Sequence, residues 1–349
     1  MNFKPFTFVL TFAITFILTP LVRRVAFRLK VLDHPNTRKI HHNPIPLLGS
    51  IAIYFGVLVG MVFSESNIFV HQEVLIILCA GTMLLVVGIL DDAGVLHPQI
   101  KLMVAMPVAG LILIFFGLHL KIFPIHLLNY FFTLFWVVGI TAAYNLLDGM
   151  DGLSSGVCVI ASFFYFLTGL IANDSFLVSI SLPLMGACLA FLIYNFHPAK
   201  IFLGDSGAIF LGFMLATMGL RVANNEILPL LTRWMIPILI LLVPIFDTSL
   251  ITVSRIRRGL IPFLHPGKDH SHHRLYNLGF GQRKTVLLIY LFSIASGLIS
   301  LAVYRLPILG AYLLFCLLLF SCLALIFLFE KLPYERQELL ESEAKRNRP

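Results

Sequence analysis

The chain has 349 residues, 59% of them hydrophobic and 12% charged, with a mean hydropathy of +0.94. Such a composition excludes a soluble globular protein. The net charge of +8 lies between apolar runs, where it suits cytoplasmic anchoring and anionic lipid, not nucleic acid. The five cysteines (Cys79, Cys158, Cys188, Cys316 and Cys322) sit inside apolar runs without CxxC or Cys/His metal spacing, and read as packing residues.

Apolar runs of roughly 20 residues predict an all-α polytopic membrane protein. They cover 6–22, 46–63, 74–90, 100–119, 124–144, 154–173, 177–196, 204–220, 232–252, 286–304 and 307–329, about 11 spans. Residues 1–330 then form a single transmembrane catalytic domain and 331–349 a charged cytoplasmic tail. The first run reads as a retained helix, because no small-residue cleavage site follows it. Arg23, Arg24, Arg28, Lys30, Arg38 and Lys39 follow that run, which puts their loop in the cytoplasm and the N-terminus outside. Alternation makes every connection after an odd-numbered span cytoplasmic, and the C-terminus with them. Those connections hold every cluster of residues able to do chemistry.

The first loop carries Asp33, Arg38, Lys39 and His41 just before a helix entry, where Lys39 can reach a phosphate; a proline-rich membrane anchor explains the same residues. Asp91-Asp92 closes the third span. Two adjacent carboxylates at a helix C-terminus call for a cation or a basic partner, or else simply face water. Asn145, Asp148 and Asp151 are spaced three apart, with Gly149 and Gly152 beside the acids. On a helix they share one face and offer hard oxygen ligands to Mg²⁺; an Asx-rich turn is the plain alternative. The segment from Asn195 to Gly207 ends in Gly204-Asp205-Ser206-Gly207, a helix start that suits an anion, a cation held by Asp205, or a simple N-cap. The last large loop holds Arg255, Arg257, Arg258, Lys268, Asp269, His270, His272, His273 and Arg274. The His-x-His-His run invites zinc, but without cysteines, and with arginines alongside, phosphate chemistry fits better. Asp247 is a lone acid inside the ninth run, a site candidate or a buried structural pair. His34, His71, His97, His119, His126, Trp136 and Trp234 read as packing or interface residues.

Four of these motifs in this order, Asp91-Asp92, Asn145-Leu-Leu-Asp-Gly-Met-Asp-Gly152, Pro198-Ala-Lys-Ile-Phe-Leu-Gly-Asp-Ser-Gly207 and His270-Ser-His-His-Arg274, resemble the polyprenyl-phosphate N-acetylhexosamine-1-phosphate transferases over roughly residues 20–300. The chain is more similar to the WecA/TagO branch than to the MraY branch, because Ser271 interrupts the contiguous His-His-His of the latter. Leu32-Asp-His-Pro-Asn-Thr-Arg-Lys-Ile-His41 also looks WecA-like, and Gly49-Ser50 departs from the more usual Gly-Gly.

The resemblance implies Mg²⁺-dependent transfer (Mn²⁺ as substitute) of N-acetylglucosamine-1-phosphate from UDP-GlcNAc to undecaprenyl phosphate in the bacterial inner membrane, releasing UMP. Asp205 would be the principal metal ligand, helped by Asn145 or Asp148. Asp151 would contact uracil and Asn195 would line the nucleotide-sugar pocket. Asp91 and Asp92 would orient or deprotonate the lipid phosphate. His272, His273 and Arg274 would bind phosphate and select the sugar, with His270 and Lys39 as further substrate contacts. Direct attack by the lipid phosphate is expected; a covalent Asp205 or Asp92 intermediate is the alternative. Another UDP-N-acetylhexosamine or UDP-MurNAc-pentapeptide as donor, and a homodimer, stay open. An ion-coupled transporter would need acids at mid-membrane in two related halves, and a CDP-alcohol phosphotransferase would need Ala-Arg after Asp148-Gly149.

Overall fold

The computed structural model describes residues 5–34, 43–64, 72–96, 98–262 and 267–332. Lys39, with Arg38 and His41, lies outside the described residues, as does the tail beyond Leu332. In chain order the elements are α1 (Phe6–Leu29), β1 (Leu32–Asp33), β2 (Ile45–Pro46), α2 (Gly49–Ser64), α3 (Gln72–Asp92) and α4 (Pro98–Ile100). A π-helical turn (Lys101–Ala105), α5 (Met106–Phe115), α6 (His126–Leu147), α7 (Leu153–Ile171), α8 (Ser175–Asn195) and α9 (Gly204–Asn224) come next. The chain ends with α10 (Met235–Ile240), α11 (Leu242–Arg257), α12 (Ser271–Leu275), a second π-helical turn (Tyr276–Phe280), α13 (Gly281–Arg305) and α14 (Ile308–Phe329). Among the described residues, 8 helices are long and apolar enough to cross a membrane, so the all-α, multi-pass expectation holds.

The other three expected spans are shorter or broken. The run 46–63 is α2, of 16 residues. The run 100–119 is a π-helical turn followed by α5, and Pro107 explains the join: it has no N–H for the carbonyl four residues back. The run 232–252 is split at Leu241 into α10 and α11. Pro244 cannot donate to the Ile240 carbonyl, so the helix re-forms one residue on.

α9 is the hub. Nearly every residue in it is buried, and it packs against α2, α3, α6, α7, α8 and α10. Close approach is made possible by small residues. Gly212 meets Tyr144 and Thr141 of α6, and Gly81 of α3 meets Phe210 and Phe213. At the edge, Thr7, Thr11, Thr15 and Thr19 form a buried i, i+4 stripe on α1. A Cβ at Gly56 or Gly60 of α2 would run into Thr15 or Thr11. α14 is the least enclosed of the eight long helices. The hairpin β1–β2 pairs Leu32 with Pro46 and Asp33 with Ile45, and Phe202 N–H donates to the Pro46 carbonyl at 2.9 Å. This fastens the α1–α2 connection to the approach to α9.

Candidate active site

The start of α9 is built by α3. Asp92 Oδ1 accepts from Asp205 N–H at 2.8 Å, and its Oδ2 accepts from Ser206 N–H at 3.2 Å and Ser206 Oγ at 2.6 Å. The acid that ends one helix therefore caps the next, which resolves its unfavourable place at a C-terminus. Gly88, one turn earlier, lies against the Ser206 backbone, where a Cβ would overlap it. Ser50 adds a third tie: its hydroxyl meets that of Ser206 at 2.7 Å. Here the departure from Gly-Gly has a structural use.

Asp205 faces outward from this cap. Its Oδ1 accepts from Asn145 Nδ2 at 3.0 Å, and its Oδ2 pairs with Lys101. Lys101 also pairs with Asp91 Oδ2 at 2.6 Å. The π-helical turn holds the lysine there, on the segment that returns past Asp91. Nothing in the sequence reading singled out Lys101. Its signal was present, as a lone basic residue ten positions after Asp91 at the start of an apolar run.

Asn145 is in the last turn of α6, but the helix stops at Leu147. Asp148 (φ −76°, ψ 60°) and Asp151 therefore lie in the α6–α7 turn and not on a helical face, which corrects the shared-face expectation. Gly152, at φ +78°, is the left-handed residue that lets α7 begin. Its N–H donates to Asn195 Oδ1 at 3.1 Å, which also accepts from Ser155 Oγ at 2.8 Å, while Asn195 Nδ2 donates to the Ile201 carbonyl at 3.0 Å. Asn195 is a clamp between α7 and the α8–α9 loop, with its amide oxygen accepting twice and its NH₂ donating once, and it also lines the cavity. Asp151 Oδ2 meets His197 Nδ1 at 2.8 Å and accepts from Ala199 N–H at 3.0 Å. Burial pushes Asp148 up to about 7, with the charges of Asp205, Asp92 and Asp151 adding to the effect.

The histidine turn is positioned from behind. Asp247 of α11 is fully buried, and it is paired. Oδ2 meets His270 Nδ1 at 2.7 Å, and Oδ1 accepts from Ser271 N–H at 2.7 Å and Ser271 Oγ at 2.6 Å. Asp247, His270 and His272 bring metal-type donor atoms within 4.8 Å of one another, but both Asp247 oxygens already serve the turn. Asp269 is held by Arg255 and Arg258. Burial would raise its carboxyl, and these two guanidinium groups outweigh it, holding it at about 2. Of the three histidines only His273 lines the cavity. His272 is buried beneath, stacked on His270 and packed against Gly149, with neither ring nitrogen hydrogen-bonded among the described residues.

Arg274 is the clearest correction. Its side chain is wholly buried and donates to the carbonyls of Asp269 (2.9 Å) and Phe329 (2.6 Å), to Ser254 Oγ (2.8 Å) and to Glu330 Oε1 (2.8 Å). It ties the turn to the end of α14 and is not among the cavity-lining residues. Successive residues of a helix point about 100° apart, and here His273 faces the cavity while Arg274 faces the end of α14.

Asp92, Asp148, Asp151, Asn195, Asp205 and His273 line one cavity of about 880 Å³, with Arg23, Asp33 and Lys200 at its wall. That size suits a ligand as large as a nucleotide sugar. The residues also fit a hard divalent cation: Asp148 and Asp205 are oxygen donors, Asn145 adds an amide oxygen, and a lysine ammonium already lies against Asp205.

The description "Glycosyl transferase family 4" matches residues 74–223. A Bacillus subtilis protein named probable undecaprenyl-phosphate N-acetylglucosaminyl 1-phosphate transferase is 34% identical over 323 residues, covering 90% of this chain and 88% of its own. The chain belongs to the polyprenyl-phosphate N-acetylhexosamine-1-phosphate transferases of this family. Other members are a Mycobacterium leprae decaprenyl-phosphate N-acetylglucosaminephosphotransferase, 34% identical over 80% of this chain and 78% of its own, and a Salmonella typhi undecaprenyl-phosphate alpha-N-acetylglucosaminyl 1-phosphate transferase, 31% identical over 80% and 78%. The match of residues 74–223 runs from α3 to the end of α9, the part of the family member that holds the acid cluster.

Proposed function

We propose that the protein transfers N-acetylglucosamine-1-phosphate from UDP-GlcNAc to undecaprenyl phosphate, releasing UMP, at the cytoplasmic face of a bacterial inner membrane. This is a first membrane step of cell-envelope polysaccharide synthesis. The chain would cross the membrane 11 times with its N-terminus outside. The observation that carries the reading is that one cavity at the ends of membrane-length helices gathers the acids, one histidine and, beside Asp205, an ammonium group. The names of the relatives support the reaction class.

Transfer needs positioning and charge compensation more than covalent help. An oxygen of the lipid phosphate attacks the donor's β-phosphorus, the bond to the bridging oxygen breaks, and that oxygen leaves on UMP. Asp205 would hold Mg²⁺, with Asn145 and Asp148 beside it; the bound ion would neutralise pyrophosphate charge. Lys101 adds a fixed positive charge next to the same oxygens. Asp91 and Asp92 would align the lipid phosphate, His273 would contact a phosphate, and Asp151 would meet the nucleobase with the oxygen that His197 does not occupy. Direct attack is favoured over an aspartyl intermediate because the lipid phosphate already carries an anionic oxygen nucleophile, and both oxygens of Asp92 are engaged in capping α9.

The purified protein, given Mg²⁺, undecaprenyl phosphate and a panel of UDP-sugars, is expected to release UMP from UDP-GlcNAc and to stop on adding EDTA. No UMP from any donor, with EDTA without effect, would end the enzyme reading; release from a different UDP-N-acetylhexosamine alone would change the donor. Asp205→Asn is expected to lower turnover by about 100–1,000-fold, the scale of losing one electrostatic stabiliser in a site that excludes water; wild-type rates would remove Asp205 from the metal. Gly88→Ala, which forces the start of α9 away, is expected to cost about 100-fold in turnover through misplacement of Asp205. Gly139→Ala, with open space around its Cβ, serves as the control, and equal rates for the two variants would refute the cap's importance.

A further inference from the structure

Gln282 is the second residue of α13. It is only 7% exposed, yet it lines the cavity, and its amide has no protein hydrogen-bond partner among the described residues. With the rest of the side chain enclosed and no described residue bonding the amide, its polar atoms open onto the cavity, and a molecule bound there would be their partner. Its position along the cavity follows from its neighbours. Arg283 Nε donates to the His197 carbonyl at 3.2 Å, and Tyr290 OH donates to the Gly152 carbonyl at 2.5 Å. These bonds press the first turns of α13 onto the α6–α7 turn and the α8–α9 loop, where His197 meets Asp151. Lys101 belongs to the other group, with Asp91 and Asp205.

We infer that Gln282 is a specificity-determining residue of the donor site, reading the imide edge of the nucleobase. The inference rests on the nucleotide-sugar reading above. The phosphates follow Asp205 and the Lys101 ammonium, whereas Asp151, which meets the nucleobase in the reading above, lies with His197 at the end where α13 packs, so the planar base falls beside the amide. The side-chain NH₂ donates to uracil O4, and the side-chain carbonyl accepts from N3–H. A planar amide matches this adjacent acceptor and donor in one plane. Sugar hydroxyls, which rotate freely, impose no such pairing. The sequence offered little hint of it: Gln282 lies beside Arg283 and Lys284, in what reads as the end of a basic loop.

The test uses full-length protein in detergent with UMP, N3-methyl-UMP and UDP-GlcNAc. Gln282→Leu keeps the volume and removes both polar atoms. It is expected to raise the Kd for UMP and the KM for UDP-GlcNAc by the same factor, about 5–10-fold, the scale of one or two neutral hydrogen bonds. The KM for undecaprenyl phosphate, kcat and the melting temperature stay as in wild type. N3-methyl-UMP, which cannot donate from N3, binds both proteins with closely similar affinity. Gln282→Asn, whose amide is one methylene shorter, checks that lost reach alone weakens UMP. A raised KM with unchanged UMP affinity would move the contact to the sugar and overturn the inference, as would equal sensitivity of UMP and N3-methyl-UMP to Gln282→Leu. A wild-type protein that binds UMP but turns over no UDP-sugar would sink the enzyme reading while leaving the base contact to be read from the UMP affinities.

Discussion

Replacing Lys101 with methionine is expected to cut turnover by at least about 100-fold while leaving the helical bundle folded. The ammonium lies between two carboxylates, 2.6 Å from Asp91 and in contact with Asp205, and its side chain is only 13% exposed. Methionine keeps the length and apolar stem of the lysine and deletes only the charge. What is lost is the fixed compensation for two acids that otherwise repel one another, and for the phosphates they are built to handle. Lys101→Arg is not expected to rescue, because the wider, planar guanidinium does not fit the enclosed point between Asp91 and Asp205 that the compact ammonium fills. UMP release, with melting temperature as the folding control, decides the matter. A Lys101→Met protein at wild-type turnover would make the lysine a mere anchor.

Arg274→Ala is expected to destabilise the protein by about 3–5 kcal/mol, because it takes the fully buried partner from the partly buried Glu330 carboxylate and empties four hydrogen bonds at once. Glu330→Gln keeps an acceptor for the guanidinium and is expected to cost only about 1–2 kcal/mol. Arg257, 3.7 Å from the other Glu330 oxygen, softens the first loss without replacing the buried bonds. Thermal unfolding in detergent gives the order of the two variants. The informative contrast is kinetic. An Arg274→Ala protein of wild-type stability but with a raised KM for the donor would put this arginine back on the substrate.

Much of the fold was legible because lipid imposes a length. A run of about 20 apolar residues has few uses besides a span, and the eight long helices fall on eight such runs. The breaks were less visible. Pro107 and Pro244 mark the π-helical turn and the split at Leu241, but prolines are common in membrane helices and do not by themselves say which ones interrupt. At the site, alternation of spans put the acid clusters on one face and the motif resemblance implied roles for Asp92, Asp148, Asp151, Asn195 and Asp205, and all five line one cavity. Sequence adjacency misled at the histidine run. Arg274 and His272 stand beside His273 in the chain, yet the turn sends them to the α14 anchor and to the underside of Gly149. Lys101 escaped as a lone basic residue at the start of an apolar run, and Gln282 because it sits among basic residues that read as the end of a loop. Only the packing of α9 and α13 shows what each faces.

In the proposed reaction a sugar and its phosphate move together onto a lipid phosphate. UDP-GlcNAc carrying a radioactive β-phosphorus tests it most directly, with undecaprenyl phosphate and Mg²⁺ present. The expected result is label in the organic phase, on the lipid, with unlabelled UMP left in the water. Label remaining in the aqueous phase as UDP, while the sugar alone reaches the lipid, would contradict the account.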